Sequence, residues 1–165
     1  CHRDNDLPAI IREDGTQEWY QRGKCHRYND LPAIIEADGT QEWLQNGDLH
    51  RDNDLPAIIE AGGTQRWYQY GKCHRDNDLP AIITADDTQE WYQSGELHRD
   101  NHLPAIIKTD GKREWYRNNE RHREKYPAII YPVDSGKKPE WYVNGVEQET
   151  GELEPNHRTK SSRHI

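Results

Sequence analysis

His2, His26, His50, His74, His98 and His122 stand 24 residues apart, and each is followed by an arginine, Arg3 through Arg123. Such a row invites three kinds of chemistry. Histidines that share an ion would bind zinc, but ligands must lie about 2.0–2.1 Å from the metal. Arginines in a stripe would hold anions. The acidic groups Asp4 and Asp6, with Asp14 beyond them, would hint at calcium. Each has a plainer reading. If every repeat adds two strands to a sheet, equivalent side chains start roughly 10 Å apart, too far to share one zinc. The expected task of each histidine is to close a turn between units against a carbonyl or an aspartate. The arginines have acidic neighbours, which predicts a ladder of ion pairs. Asp4-Asn5-Asp6 is too sparse for a calcium loop, and turn-forming Asp and Asn account for it.

Nucleophilic catalysis finds no footing. There is no Gly-rich phosphate loop, no nucleophile elbow and no His-Glu-x-x-His. Candidate groups recur at every repeat, whereas an active site assembles once. We therefore expect no enzyme, no cofactor and no metal. Cys1, Cys25 and Cys73 share one repeat position with Leu49 and Leu97, so cysteine serves there as a small hydrophobe. At ~10 Å apart they exceed the Cα window of about 4.4–6.8 Å for a disulfide, and no bridge is expected.

The elements that carry these residues follow from the repeat. Trp19, Trp43, Trp67, Trp91 and Trp115 keep the same period, and Trp141 follows after an insertion of three residues. Within a unit, 7–12 (LPAIIR) reads as a strand, Asp14-Gly15 as a two-residue hairpin turn, and 16–21 (TQEWYQ) as the returning strand. That loop length sets Ile10 opposite Trp19 and Ala9 opposite Tyr20. Arg22-Gly23-Lys24 then turns the chain toward the next unit. Proline and glycine punctuate each unit, so no helical period survives. One hairpin cannot bury its tryptophan alone, but stacked copies can. The fold expected is all-β: an elongated array of antiparallel hairpins in one twisted sheet, about six units over residues 1–146. The last unit, about 121–146, is an atypical cap with Pro127, Pro132 and Pro139, and 147–165 is a polar tail.

Tyr20-x2-Gly23-x2-His26, followed by the Asp38-Gly39 turn, resembles the MORN repeat, whose core reads W/Y-x2-G-x2-H-G. The likeness covers about residues 1–146, and Gly23, Gly47, Gly71, Gly95 and Gly145 carry its glycine. Arg stands after His where the family has Gly, Leu44 replaces the tyrosine, and Asn119 replaces a glycine. Similar units occur in large DNA viruses and some bacterial proteins. The resemblance implies a stack of hairpins with scaffolding, dimerising or membrane-apposing roles rather than catalysis.

The formal net charge of −8 opposes nucleic acid and anionic lipid as partners. No apolar run is long enough to span a membrane, and a cytoplasmic location, in a host cell or a virion, is expected. The chain opens on Cys1 inside a unit, which leads us to expect a preceding segment. The leading expectation is a non-enzymatic scaffold or protein-interaction module, binding a protein or a second copy of itself through an edge strand. A peripheral membrane adaptor and a toxin-neutralising binder are the alternatives. Tyr28, Leu44, Tyr70 and Tyr126 break the repeat and mark where a partner site is sought.

Overall fold

The computed structural model describes residues 6–149. Each unit contributes two different hairpins. In the first unit, β1 (Ile10–Ile11) pairs with β2 (Gln17–Glu18), and β3 (Tyr20–Gln21) pairs with β4 (Lys24–Cys25). Strands of the first kind join into one 11-stranded antiparallel sheet that follows chain order, with Gln17–Glu18 pairing onward to Ile34–Ile35 of the next unit. Strands of the second kind form six separate two-stranded ribbons beside it. The all-β hairpin array is thus as expected, with no α-helix among the described residues.

The expected register is corrected. Arg12 and Thr16 close the first loop: the Arg12 N–H donates to Thr16 O at 2.9 Å and the Gly15 N–H to Arg12 O at 3.0 Å. The loop holds three residues, Glu13 to Gly15, with Gly15 at φ 95°. A three-residue loop of this kind ends on a residue in the left-handed region. The extra residue moves the register by one, so Ile10 faces Glu18 rather than Trp19. Ala9 does not face Tyr20 either, because its N–H donates to Glu18 O at 2.8 Å.

The two-residue turn lies elsewhere. Tyr20 pairs with Cys25 and Gln21 with Lys24, leaving Arg22 (φ 47°) and Gly23 (φ 79°) at the tip. Two successive positive φ values make a type I′ turn. The same tip recurs at Asn46-Gly47, Tyr70-Gly71, Ser94-Gly95, Asn118-Asn119 and Asn144-Gly145. Each ribbon is tied to the one before it: the Gly47 N–H donates to Cys25 O at 2.9 Å, and Gly71 to Leu49 O at 2.9 Å.

Trp19 sits where the chain leaves the long sheet for the ribbon. Its N–H donates to Ala33 O of the next unit at 2.9 Å, and its carbonyl accepts from the His26 N–H at 3.0 Å. A thin core runs along this seam. Ala33, Ala57, Ala81, Ala105 and Ala128 are fully buried, as are all but 6–7% of Trp19, Trp43, Trp67, Trp91 and Trp115. Alanine is the size that lets an indole lie against the neighbouring strand. Ile129, 1% exposed, is the one large side chain buried this completely among the described residues.

The array ends unequally. At the far edge Ile129 exchanges both backbone hydrogen bonds with Glu140 at 3.0 Å, and Pro132 leads into a 3₁₀ turn, Val133–Ser135. The last ribbon pairs Trp141–Val143 with Val146–Gln148. At the near edge β1 has a partner only in β2 among the described residues. Ile10 and Ile11 are there 45% and 66% exposed, against 6% for the equivalent Ile82.

Candidate functional site

The recurring polar residues assemble into rungs at each junction between units. Arg51 shows the pattern. Its guanidinium lies 3.8 Å from the centre of the Trp43 ring, one unit back. Its Nε and Nη2 donate to the two oxygens of Asp30 at 2.7 and 2.8 Å, and Nη1 donates to Pro56 O at 3.3 Å. The indole N–H of Trp43 donates to the Asp30 carbonyl at 3.0 Å. One aspartate thus holds the tryptophan through its backbone and the arginine through its side chain. Local chemistry explains the sequence: Asn29 and Asp30 both have positive φ, 61° and 53°. Asn and Asp tolerate that region best among residues with a side chain. Arg27, Arg75 and Arg99 repeat the arrangement over Trp19, Trp67 and Trp91. The arginine beside Asp6, Asp30, Asp54 and Asp78 holds each carboxyl below the ordinary aspartate value.

The expected arginine ladder therefore exists, but its carboxylates come from 21 residues earlier rather than from the residue next door. The cation over each indole joins residues of two units, and no single unit of the sequence announces it. Its signal was the fixed offset of eight between Trp and Arg in five consecutive units.

The histidines form a second stitch. The Nδ1 atoms of His26, His50, His74, His98 and His122 accept the N–H of the residue that opens the next ribbon tip along the chain, at 3.1–3.3 Å. An N–H can only donate, so Nε2 is left to carry the ring proton. In His50, His74 and His98 it meets the aspartate two residues on at 3.1 Å. His26 has Tyr28 at that place and packs its ring edge-on, 4.7 Å between centres. His2 lies outside the described residues. Gly23, Gly47, Gly71, Gly95 and Gly145 occupy the ribbon tips with φ of 75–94°. Trp141 departs from the other tryptophans. It is half-buried, lies within the last ribbon opposite Gln148, and among the described residues has no arginine over it.

A third row lies on the sheet face toward the ribbons: Glu18, Glu42, Arg66, Glu90 and Glu114 alternate with isoleucines. Glu18 is buried, bonded to Arg12 and to the Tyr20 hydroxyl, which donates at 2.8 Å. Glu42 faces Glu36, and burial together with that second carboxyl raises its pKa. Cys25 and Cys73 are free thiols beneath this row, pushed up by burial to about 11 and about 12. Such thiols are poor nucleophiles and poor metal ligands at neutral pH.

Between successive units open shallow clefts of about 240–330 Å³, lined by the His-Arg-Asp-Asn segments and the tryptophan between them. No group of three His, Cys, Asp or Glu side chains among the described residues is placed to hold a metal ion. No helix of the described residues is long and apolar enough to cross a membrane. The pattern-breaking Tyr28, Tyr70 and Tyr126 are 60–75% exposed at the rims of this ladder, and Tyr70 stacks on His50 with 4.5 Å between centres. Compared with family models, with curated proteins and with solved structures, the chain has no match.

Proposed function

We propose that this chain is a non-enzymatic scaffold that binds polypeptide by strand addition at the edge β1 presents among the described residues, with a second copy of itself as the occupant. The observation that carries this reading is the contrast between Ile11, 66% exposed on β1, and the half-buried Ile35, Ile59 and Ile83, covered by a further strand at the same repeat position. An unpaired strand edge offers a row of N–H and C=O groups to another chain. The engagement of His, Arg, Asp and Trp in recurring inter-unit contacts supports a supporting rather than a reacting role. So does the MORN-like motif. The charge of −8 makes a polyanionic partner unfavourable, and the free thiols suit a reducing compartment such as the cytoplasm.

Sedimentation velocity on the full chain and on Ile11→Lys tests the reading. A concentration-dependent dimer that the lysine converts to monomer is expected. A wild-type chain that sediments as a monomer at every concentration overturns it.

A further inference from the structure

Five arginines lie over five tryptophans, and four of them have a carboxylate. Arg123 stands 3.7 Å from the centre of the Trp115 ring, and its Nη1 donates to Pro127 O at 3.2 Å, as in the other rungs. The position of the aspartate is taken by His102. Its backbone is that of the aspartates: φ is 58° against 53–56°, and its carbonyl accepts the Trp115 indole N–H at 2.7 Å. Only the carboxylate is missing. In consequence the Nε of Arg123 is buried with no hydrogen-bond partner. Beside it the Nε2 of His122, a residue 7% exposed, is also buried and unpartnered. In three earlier units that nitrogen meets an aspartate at 3.1 Å, whereas here Glu124 stands 3.7 Å away. Both residues line a cleft of about 240 Å³.

We propose that the fifth rung is a carboxylate-binding site, in which an acid from outside the rung takes the fork of Arg123 that Asp78 takes on Arg99. A guanidinium edge matches a carboxylate with two parallel hydrogen bonds. Trp115 beneath and Pro127 behind fix that edge before anything binds, which lowers the cost of ordering it. Buried N–H groups without partners favour a ligand that supplies acceptors. Of the acids already in the cleft, Asp100 holds His98 and Gln93, at 3.1 and 3.0 Å, and Glu124 lies 3.7 Å from His122 Nε2 and 3.9 Å from Arg117, beyond hydrogen-bond distance of both. Tyr126, 60% exposed, has its ring 5.1 Å from the guanidinium. This site is independent of the β1 edge at the other end of the array.

The arginine Nε–H and tryptophan indole N–H signals of the full ¹⁵N-labelled chain provide the test. Sodium acetate is titrated against sodium chloride at equal ionic strength, and N-acetylaspartate amide is titrated separately. Acetate is expected to move the Arg123 signal saturably, with Arg27, Arg51, Arg75 and Arg99 unmoved and chloride without effect. In His102→Asp the signal takes the acetate-bound position unaided and the response is lost. Tighter binding of N-acetylaspartate amide than of acetate assigns the site to an acidic protein side chain; equal binding assigns it to a free small acid. Three results overturn the proposal: no acetate-dependent movement at Arg123, an undiminished response in His102→Asp, or a wild-type signal already at the bound position that Glu124→Gln releases. Since His102→Asp restores the residue of the other rungs, its fold is not at risk, and unchanged indole signals verify this.

Discussion

The guanidinium of Arg51 lies over the Trp43 ring, 3.8 Å from its centre, while the same group grips Asp30 from the unit before. The arginine side chain is 13% exposed and the aspartate side chain 50%. The two contacts therefore differ in worth. A half-exposed ion pair contributes ~1 kcal/mol or less, whereas a shielded cation over an indole contributes up to ~2 kcal/mol. Arg51→Lys keeps the charge but loses the planar fork and the stacking. It should cost about 1–2 kcal/mol in urea unfolding followed by tryptophan fluorescence. Asp30→Asn should cost less than about 1 kcal/mol. Equal losses from both would show that the ion pair, not the stacking, holds the rung.

The tryptophans should not be equivalent. Trp67 is 6% exposed, with Arg75 over it and units on both sides. Trp141 is half-buried at the end of the array. Trp67→Ala should cost ~3–5 kcal/mol, as deletion of a buried indole does. Trp141→Ala should cost about 1 kcal/mol, as an average substitution does. Hydrogen exchange on the two variants checks this. Protection lost locally around unit three in the first, and only beyond Ile129 in the second, is the expected result.

How much of this was legible in the sequence depends on what each signal encodes. The 24-residue period and the alternation of proline, glycine and isoleucine identify a hairpin array, because stacking repeats is the only way such sparse apolar residues find cover. The register was not legible. Asp14-Gly15 looks like a two-residue turn, yet the same dipeptide also ends a three-residue loop, and only the pairing of Ile10 with Glu18 decides between them. The true two-residue turns read Arg-Gly, Asn-Gly, Tyr-Gly, Ser-Gly and Asn-Asn, so their first residue carries little signal. Arg-on-Trp stacking joins residues of adjacent units, and a reading confined to one unit misses it. His102 stands at the repeat position of Asp6, Asp30, Asp54 and Asp78. Its meaning as a missing aspartate appears once Asp78 is seen on Arg99.

Asp87 stands where the other loops carry Gly15, Gly39, Gly63 and Gly111, and it holds φ 60°. A side chain in the left-handed region costs roughly 1–2 kcal/mol. Asp87→Gly should recover part of this and stabilise the chain by about 0.5–1 kcal/mol. Asn119 is the control. It also replaces a glycine, with φ 68°, but its Oδ1 accepts the Leu97 N–H at 2.8 Å. Asn119→Gly loses that bond and should bring no gain. Melting temperatures of the two variants decide; a gain in both would remove the role given to the Asn119 side chain.

The thiols of Cys25 and Cys73 sit at about 11 and about 12 because burial disfavours the thiolate. The Cys25 thiol donates to Ala33 O at 3.6 Å. In the native chain at pH 8 both should react with a disulfide reagent far more slowly than after unfolding, Cys73 the slower of the two. Tryptic mapping of the labelled chain identifies which thiol has reacted. Fast labelling of Cys73 without unfolding would contradict the packing of Cys73 against Ala81 and Ile82.

Glu42 supplies a pH dependence with a sign opposite to that of the rung aspartates. Its carboxyl is raised above the ordinary 4.5, first by burial and then by the charge and hydrogen bond of Glu36. The nearest cation of the same row, Arg66, is already paired with Glu60 at 2.7 Å. A raised acid costs the folded state stability at every pH above its folded value, and the cost fades as pH falls to the unfolded one. Asp6, Asp30, Asp54 and Asp78 are lowered by their arginines, so they stabilise the fold above the ordinary 3.8 and cease to do so as pH drops through their depressed values. Glu42→Gln should therefore stabilise the chain at pH 7, and the advantage should fade as pH falls below the ordinary 4.5, where the carboxyl becomes protonated in both states. Below that, wild type and variant should lose stability together as the aspartates titrate. Denaturant unfolding of both chains between pH 3 and pH 8 reads the difference directly, and a variant advantage that persists unchanged at the lowest pH would place its cause in packing rather than in charge.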